Sequence, residues 1–396
     1  MSEASAVKIS DVQFEPMLRA DDDYIDVDVV ADDGTVELLL DEARLEISRL
    51  LSEVLPGADI ASPADILEAL SACGAAVPES VHAASDDPDI LEKLGYFAKS
   101  RRRVDFVLSL FPCKGCHPLR TLATRGSEVD FGDVKCLLQL VRLVAAIRRV
   151  HRPGAHITIL SNGRRYSDVF FEHQSDVDLY RVNIAELIRF LGCEDVIHLE
   201  PEELLYSDEY QSEIVAEQAQ VEAEIRKSPA DFSPMLGTIQ LNLNPPLRLS
   251  PKQYAEVICQ LGHDDDAKLS DEQRVVWAFI QENAVSATAR YIATNKALRN
   301  LRLFENAFQT HVKLTVHAKP GQIAIVPVAP DSPFPHNGQA FLVSEPALEN
   351  VGVKYAANLL RMKATTLKGA VLSRRRFPFA NDAHPFLVWA QGGSSQ

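Results

Sequence analysis

An alternation in the middle of the chain constrains the fold most. Val104 to Phe111 (V-D-F-V-L-S-L-F) is a short, mostly apolar run closed by Pro112, the pattern of a strand buried on both faces. A polar, basic loop follows from Cys113 to about Glu128. Asp130 is placed to cap a long helix reaching Arg152, with Leu137, Leu140, Val141, Val144, Ala145 and Ile147 facing inward. Pro153-Gly154 stops that helix, and His156 to Leu160 (H-I-T-I-L) reads as the next strand. Ser161-Asn162-Gly163 reads as a turn, Asp176 to Leu191 as a second amphipathic helix ended by Gly192, and Val196 to Leu199 as a third strand. Strands alternating with helices of this length predict βαβ units, hence a Rossmann-like α/β fold with a mainly parallel sheet flanked by helices.

The flanks elaborate this centre. An acidic stretch, with Asp21, Asp22, Asp23, Asp26 and Asp28, precedes a helix expected over Val36 to Leu55, which Pro56-Gly57 ends. Two shorter helices are expected, one entered at Ser62-Pro63 and one around Asp87 to Lys99. Beyond the third strand, Glu213 to Lys227 reads as a charged helix and the proline-rich Ser228 to Ser250 as a linker or ordered loop. Ser250-Pro251 opens another helix, and Glu272 to Phe308 is helical through most of its length. Lys313 to His317 and Gln322 to Val328 flank Ala318-Lys319-Pro320-Gly321 as a β-hairpin. Gln339 to Val343 and Pro385 to Trp389 are further strands, so a C-terminal antiparallel extension of the sheet is expected. The resulting division is an acidic tail and N-terminal helical section over 1–95, an α/β domain over 96–345, and an extension over 346–396 that packs on the same domain.

Composition removes several function classes. Forty Lys and Arg against 56 Asp and Glu give a formal net charge of −16, which argues against general nucleic-acid binding, since that needs cations to displace phosphate counterions. No apolar run approaches the ~20 residues of a bilayer span. The N-terminus lacks a secretion pattern and six cysteines are sparse for this length, so a reducing, cytoplasmic setting without a disulfide scaffold is expected. Cys113-Lys114-Gly115-Cys116-His117 spells the c-type haem attachment pattern, yet haem attachment belongs to exported proteins. Zinc would need two further ligands, and Cys136 has no companion at metal spacing, so no metal site is assigned.

In open α/β sheets ligands sit outside the carboxyl ends of the strands. Two loops leave such ends here. One runs from Phe111 through Lys114 to Arg120 and Leu122; the other runs from Ser161 through Arg164 and Arg165 to Asp168. Both join fixed cations to small turn residues, as an anionic ligand requires. The competing explanation is that these cations simply pair with the acidic excess on the surface. His317 and His336 are placed to shuttle protons, since imidazole titrates near neutrality, although either can be structural. Asp130 and Asp133 straddle a helix start, where capping accounts for at least one of them. No nucleophile elbow, P-loop or dinucleotide glycine pattern follows a strand.

Taken in order, F-P-C-K at 111–114, P-L-R-T-L at 118–122, D-F-G-D at 130–133, R-P-G-A-H-I-T-I-L-S-N-G-R at 152–164 and Y-S-D at 166–168 resemble the isonitrile synthase family, also called pyoverdine/dityrosine biosynthesis proteins. K-L-T-V-H at 313–317 and P-H-N at 335–337 resemble its C-terminal strand and histidine-bearing loop. The likeness spans roughly residues 90 to 345. It implies an enzyme that joins the amino group of an amino acid, usually tyrosine or tryptophan, to the ketone of ribulose 5-phosphate. Proton transfers, loss of phosphate and carbon–carbon cleavage then leave one sugar carbon on nitrogen as an isonitrile. The resemblance implies no metal or organic cofactor; ribulose 5-phosphate is a co-substrate, and an iron/2-oxoglutarate oxygenase is an associated pathway partner.

Matching positions then assign Lys114, Asp168, His317 and His336 to catalysis; the alternative of a Schiff base between Lys114 and the ketose requires a depressed lysine pKa. Lys114, Arg120, Arg164, Arg165 and Lys313 are assigned to phosphate or carboxylate, while Asp130 and Asp133 order the loop above the site. Departures from the family pattern are Asn162 for an aspartate, Ala123 for a glycine, Ala318 for a proline, and Phe334-Pro335 where a tryptophan precedes the histidine. They bear on which amine is used and which product forms. They also keep open a different amine or product on the same phosphosugar, or a non-catalytic binding protein.

Overall fold

The computed structural model describes residues 28–31, 35–53, 60–112, 127–240, 242–247, 249, 251–261, 268–316, 319–327, 339–344, 351–356, 371–376 and 383–391. The N-terminal section carries a strand β1 (Asp28–Ala31) and helices α1 (Thr35–Ser52), α2 (Pro63–Ala72), α3 (Pro78–Ser85) and α4 (Pro88–Ser100). Proline opens α2, α3 and α4, where its fixed φ suits the first turn and its missing N–H costs nothing. Ser62 and Asp65 close a capping box, the Ser62 N–H donating to Asp65 Oδ2 at 2.8 Å. Helix α3 is an addition to the sequence expectation.

The centre is the expected βαβ array. It runs β2 (Val104–Leu110), α5 (Phe131–Val150), β3 (Ala155–Ser161), α6 (Gly163–Phe170), α7 (Gln174–Leu191) and β4 (Ile197–Pro201). Helices α8 (Asp208–Lys227), α9 (Ser233–Gln240), α10 (Pro251–Gln260), α11 (Asp271–Asn300) and α12 (Leu303–Ala307) lead to β5 (Val312–Thr315) and β6 (Ile323–Ala324). The sheet order is β4-β3-β2-β5-β6, and every pairing in it is parallel. Phe106, Leu108 and Leu110 pack into a core shared with α1, α2, α4, α5 and α7. Val107 and Leu160 face the opposite side, against Tyr210 and Ile214 of α8 and Ala293 and Ala297 of α11. Covering both faces is why these strands read as nearly continuous apolar runs.

Four expectations change. Lys313 to Val328 is not a hairpin: β5 and β6 pair parallel, with Leu314 opposite Ile323. The residues after Ser161-Asn162 form helix α6 rather than a loop, and the proline-rich stretch contains α9, because Pro229 and Pro234 each fall in a first turn where proline is tolerated. Finally, among the described residues no antiparallel extension joins the parallel sheet. The C-terminal strands β7 (Gln339–Ser344), β8 (Val351–Ala356), β9 (Val371–Arg376) and β10 (Ala383–Gln391) form a second, mixed sheet with β1, ordered β1-β9-β10-β7-β8. Its antiparallel pairs are β7 with β8 and β9 with β10. Among the described residues, no helix is long and apolar enough to cross a membrane.

Candidate functional site

From β2 the chain steps outward to β3 and β4, then returns to place β5 on the other side of β2. That reversal is a topological switch point, the place at the carboxyl ends of the strands where open α/β sheets bind their ligands. A cavity of about 620 Å³ lies there. Ser109, Leu110 and Pro112 line it from β2 and its exit, and Lys313 to Val316 line it from β5. Asn162, Arg165, Tyr166 and Phe170 come from the start and body of α6, and Tyr291, Ile292, Asn295 and Arg299 from α11.

The exit from β2 is tightly built. Phe111 is buried with φ at 56°, a left-handed conformation that bulky residues rarely adopt and that costs about 1–3 kcal/mol. Its carbonyl accepts from Ser161 Oγ at 3.3 Å, and its ring meets that of Tyr180 edge-on at 6.4 Å. The next residue, Pro112, lies against the start of α6. A Cβ on Gly163 would stand 2.2 Å from the Pro112 carbonyl oxygen and 2.5 Å from Val177 Cγ1, so glycine is obligatory there.

Beneath the cavity lies a buried ionic network. The Arg165 guanidinium makes a bidentate pair with Glu202, its Nε donating to Oε1 at 2.6 Å, and its Nη1 donates to the Tyr166 hydroxyl at 3.1 Å. Ser109 Oγ at 2.9 Å and the Tyr206 hydroxyl at 2.7 Å also donate to Glu202, whose side chain is 0% exposed. Burial opposes the charge on Arg165, yet the facing Glu202 holds its pKa well above the ordinary value. Burial and the same carboxylate push the Tyr206 hydroxyl up, which keeps it a donor. Four donor contacts satisfy the carboxylate, which a charge at this depth requires.

The walls differ in chemistry. Tyr166 and Tyr291 stack with ring centroids 5.3 Å apart, and Phe170 lies 6.0 Å and 6.5 Å from them. Burial raises Tyr291 to about 12, so its hydroxyl stays neutral. Toward β5 the wall is cationic. Lys313 stands 4.3 Å over the Phe304 ring and 4.0 Å from Glu305, and Lys319 and Arg299 also line the space. Burial lowers the pKa of both Lys313 and Lys319, and Arg165 lowers each further.

Of the residues singled out in the sequence, Arg165 and Lys313 line this cavity. Arg164 does not: its Nε donates to Asp178 Oδ1 at 2.9 Å and lies 3.4 Å from Glu203. Asp168 is exposed and pairs with Arg290 at 3.1 Å, also away from the lining. Asp130 and Asp133 are buried and close the capping box of α5. Lys114, Arg120, His317 and His336 lie outside the described residues, as do Cys113, Cys116, His117, Ala123, Ala318 and Phe334. Tyr166, within the Y-S-D motif, and Asn162, a departure from the family pattern, also line the cavity, a wall that the sequence motifs do not reveal. Glu202, Tyr291, Arg299 and Lys319 carried no local signal.

The geometry defines a Rossmann-like α/β protein with a small-molecule cavity at its switch point. The pattern of the pyoverdine/dityrosine biosynthesis proteins matches residues 94–330, more than half of the chain, and the chain belongs to that family. Over 120 residues it is 32% identical to the L-tryptophan isonitrile synthase AmbI2 of Fischerella ambigua, a match covering 30% of this chain and 34% of that protein. Over 138 residues it is 27% identical to the L-tyrosine isonitrile synthase of Pseudomonas aeruginosa, covering 33% and 41%. The matched stretch thus spans between a third and about two fifths of the length of these relatives. The crystal structure of the PvcA protein from Pseudomonas aeruginosa shares the fold, with a TM-score of 0.52 at 17% identity over 83% of this chain and 99% of that one.

Proposed function

We propose that the chain is an isonitrile synthase that condenses the amino group of an aromatic amino acid, tyrosine or tryptophan, with the ketone of ribulose 5-phosphate. Loss of phosphate and carbon–carbon cleavage then leave the isonitrile. The observation that carries this reading is one cavity with an aromatic wall of Tyr166, Phe170 and Tyr291 and a cationic wall of Lys313, Lys319 and Arg299. An aromatic amino acid and a sugar phosphate are the pair of ligands such walls suit. Family membership and the names of the relatives support the same chemistry.

In this reading the proton transfers fall to His317, which follows the lining residue Val316, with His336, and Lys114 lies two residues beyond the lining residue Pro112. Lys114 acts there as a charge or as an imine-forming amine. Asp168, engaged by Arg290, takes no proton-transfer role in the proposal. An iron/2-oxoglutarate oxygenase acting on the isonitrile is the proposed pathway partner.

Full-length protein supplied with ribulose 5-phosphate is expected to release inorganic phosphate only when the right amino acid is present. The product should carry one more carbon on nitrogen and two fewer hydrogens. A screen of the common amino acids with no amine-dependent phosphate release would overturn the proposal. One observation favours a second reading, a changed amine or product: Asn162 replaces the family's aspartate, lines the cavity, and its buried Oδ1 has no hydrogen-bond partner among the described residues. Mass spectrometry of the product separates the two.

A further inference from the structure

We infer that Lys313, Lys319 and Arg299 form an anion subsite on the β5–β6 side of the cavity, and that it takes the phosphate ester of the sugar co-substrate. The amino acid is left to the α6 side. The identity of the sugar rests on the function proposed above; the subsite itself rests on which cations have donors to give.

The arginines of α6 have little to offer an incoming anion. Arg164 spends its fork on Asp178, and Arg165 gives Nε and Nη2 to Glu202 and Nη1 to Tyr166. Arg165 therefore contributes a fixed positive field from below rather than a clamp. The cations nearer β5 are differently placed. Among the described residues, Lys319 makes no ion pair and Arg299 gives only its Nε, at 3.3 Å to the Asn295 carbonyl. Lys313 has one carboxylate in range, Glu305, at the 4.0 Å limit of an ion pair. Three cations thus converge with Arg165 on one space, and the nearby acids are Glu305 and the fully engaged Glu202. Gathering like charges in a partly desolvated crevice is unfavourable unless an anion joins them. The lowered pKa values of both lysines express that cost.

The opposite end is chemically unlike this one. Asn162, Glu172 and Asn242 line it together with Tyr166 and Phe170, and the loop after α9 is tied there by the Asn244 N–H donating to the Phe170 carbonyl at 2.9 Å. The carboxylate suits an ammonium and repels a phosphate, and the amide carbonyls can accept from the ammonium. Because β3 and β5 lie on opposite sides of β2, the two ends occupy opposite sides of the crevice. The sugar's ketone and the amino group would therefore meet over the end of β2.

The test is titration calorimetry on the full-length chain with ribulose 5-phosphate, inorganic phosphate and L-tyrosine or L-tryptophan as separate probes. Lys319→Gln and Arg299→Gln, both at exposed positions, are each expected to weaken ribulose 5-phosphate binding about tenfold, as loss of one charge-assisted hydrogen bond does. Amino-acid affinity should change less than about twofold, that being within the error of a remote substitution. Arg226→Gln, on the surface of α8, removes the same charge elsewhere and should leave binding intact. No binding of either phosphate probe by the parent protein overturns the inference. So does unchanged binding in both variants, or an equal loss in the α8 variant. If the variants lose the phosphate probes while no amine triggers phosphate release, the subsite stands and the isonitrile reading falls. If turnover occurs but the variants bind ribulose 5-phosphate normally, the reverse holds.

Discussion

Gly163 is the residue on which the cavity floor turns. Its missing side chain lets the start of α6 press against the Pro112 carbonyl, so the exits of β2 and β3 can lie side by side. For Gly163→Ala a loss of about 1–3 kcal/mol is expected, the range of an overpacked site, here one whose nearest neighbour is the rigid Pro112 backbone. Urea unfolding checks it, and a cost below about 0.5 kcal/mol, the level of an ordinary surface change, would show that the contact relaxes freely. The neighbouring arginines illustrate what could be read at this scale. Both were visible as candidate anion contacts. The loop assignment favoured Arg164 over Arg165, and the structure reverses that order, because a helix turns consecutive side chains about 100° apart. Arg165 accordingly goes inward to Glu202 and Arg164 outward to Asp178.

At the scale of elements, α5 shows local sequence acting directly. The D-x-x-D spacing of Asp130 and Asp133 predicted a capped start, and both reciprocal bonds are present, the Asp130 N–H donating to Asp133 Oδ2 at 2.8 Å. Asp133 also accepts from the Tyr180 hydroxyl at 2.8 Å, which ties α5 to α7. Asp133→Ala is therefore expected to cost about 2–3 kcal/mol, more than a solvent-exposed cap, because it removes two buried hydrogen bonds to a carboxylate. Thermal unfolding would reveal it, and a loss under about 1 kcal/mol, as for a simple cap, would mean that water or another group takes over. Strands β2, β3 and β4 were legible for a similarly local reason, since burial on both faces leaves an apolar run. The partner of β6 was not. A tight Lys-Pro-Gly turn suggested an antiparallel return, but Ile323 and Ala324 pair parallel to β5, and the next residue, Ile325, bridges to Ala76.

For the molecule as a whole, stability should depend on pH through two half-buried imidazoles. Burial, then the nearby Arg103, lowers His156 on β3 to about 4, and burial also lowers His311 just before β5. The unfolded chain titrates these groups near 6.5, so it binds protons that the folded chain refuses. Stability is then fully present above about pH 6.5 and falls as the pH drops toward about 4. With partial solvent screening, His156 should account for about 1–2 kcal/mol of that fall. Ion-paired carboxylates such as Asp178, whose pKa is lowered by Arg164, lose their contribution only at lower pH. Urea midpoints at pH 7.5 and pH 5, compared between the parent and His156→Phe, isolate the effect. A parent no less stable at the lower pH, or an identical change in both proteins, would contradict it.

What the amino-acid order determined alone was the kind of layer each segment joins. Apolar runs, helical stripes, prolines and caps report which face of a segment leaves water, and that dictates parallel strands between helices in residues 104–201. Order and spacing of short motifs also carried the family. What only the tertiary structure decided was adjacency: β5 returning beside β2, Glu202 under Arg165, and Tyr291 and Arg299 of α11 facing residues of α6 and β5. Periodicity encodes burial but not the identity of the neighbour. Which groups meet across more than a hundred residues is settled by packing the whole core at once, and the cavity's two chemically distinct walls exist only after that packing is complete.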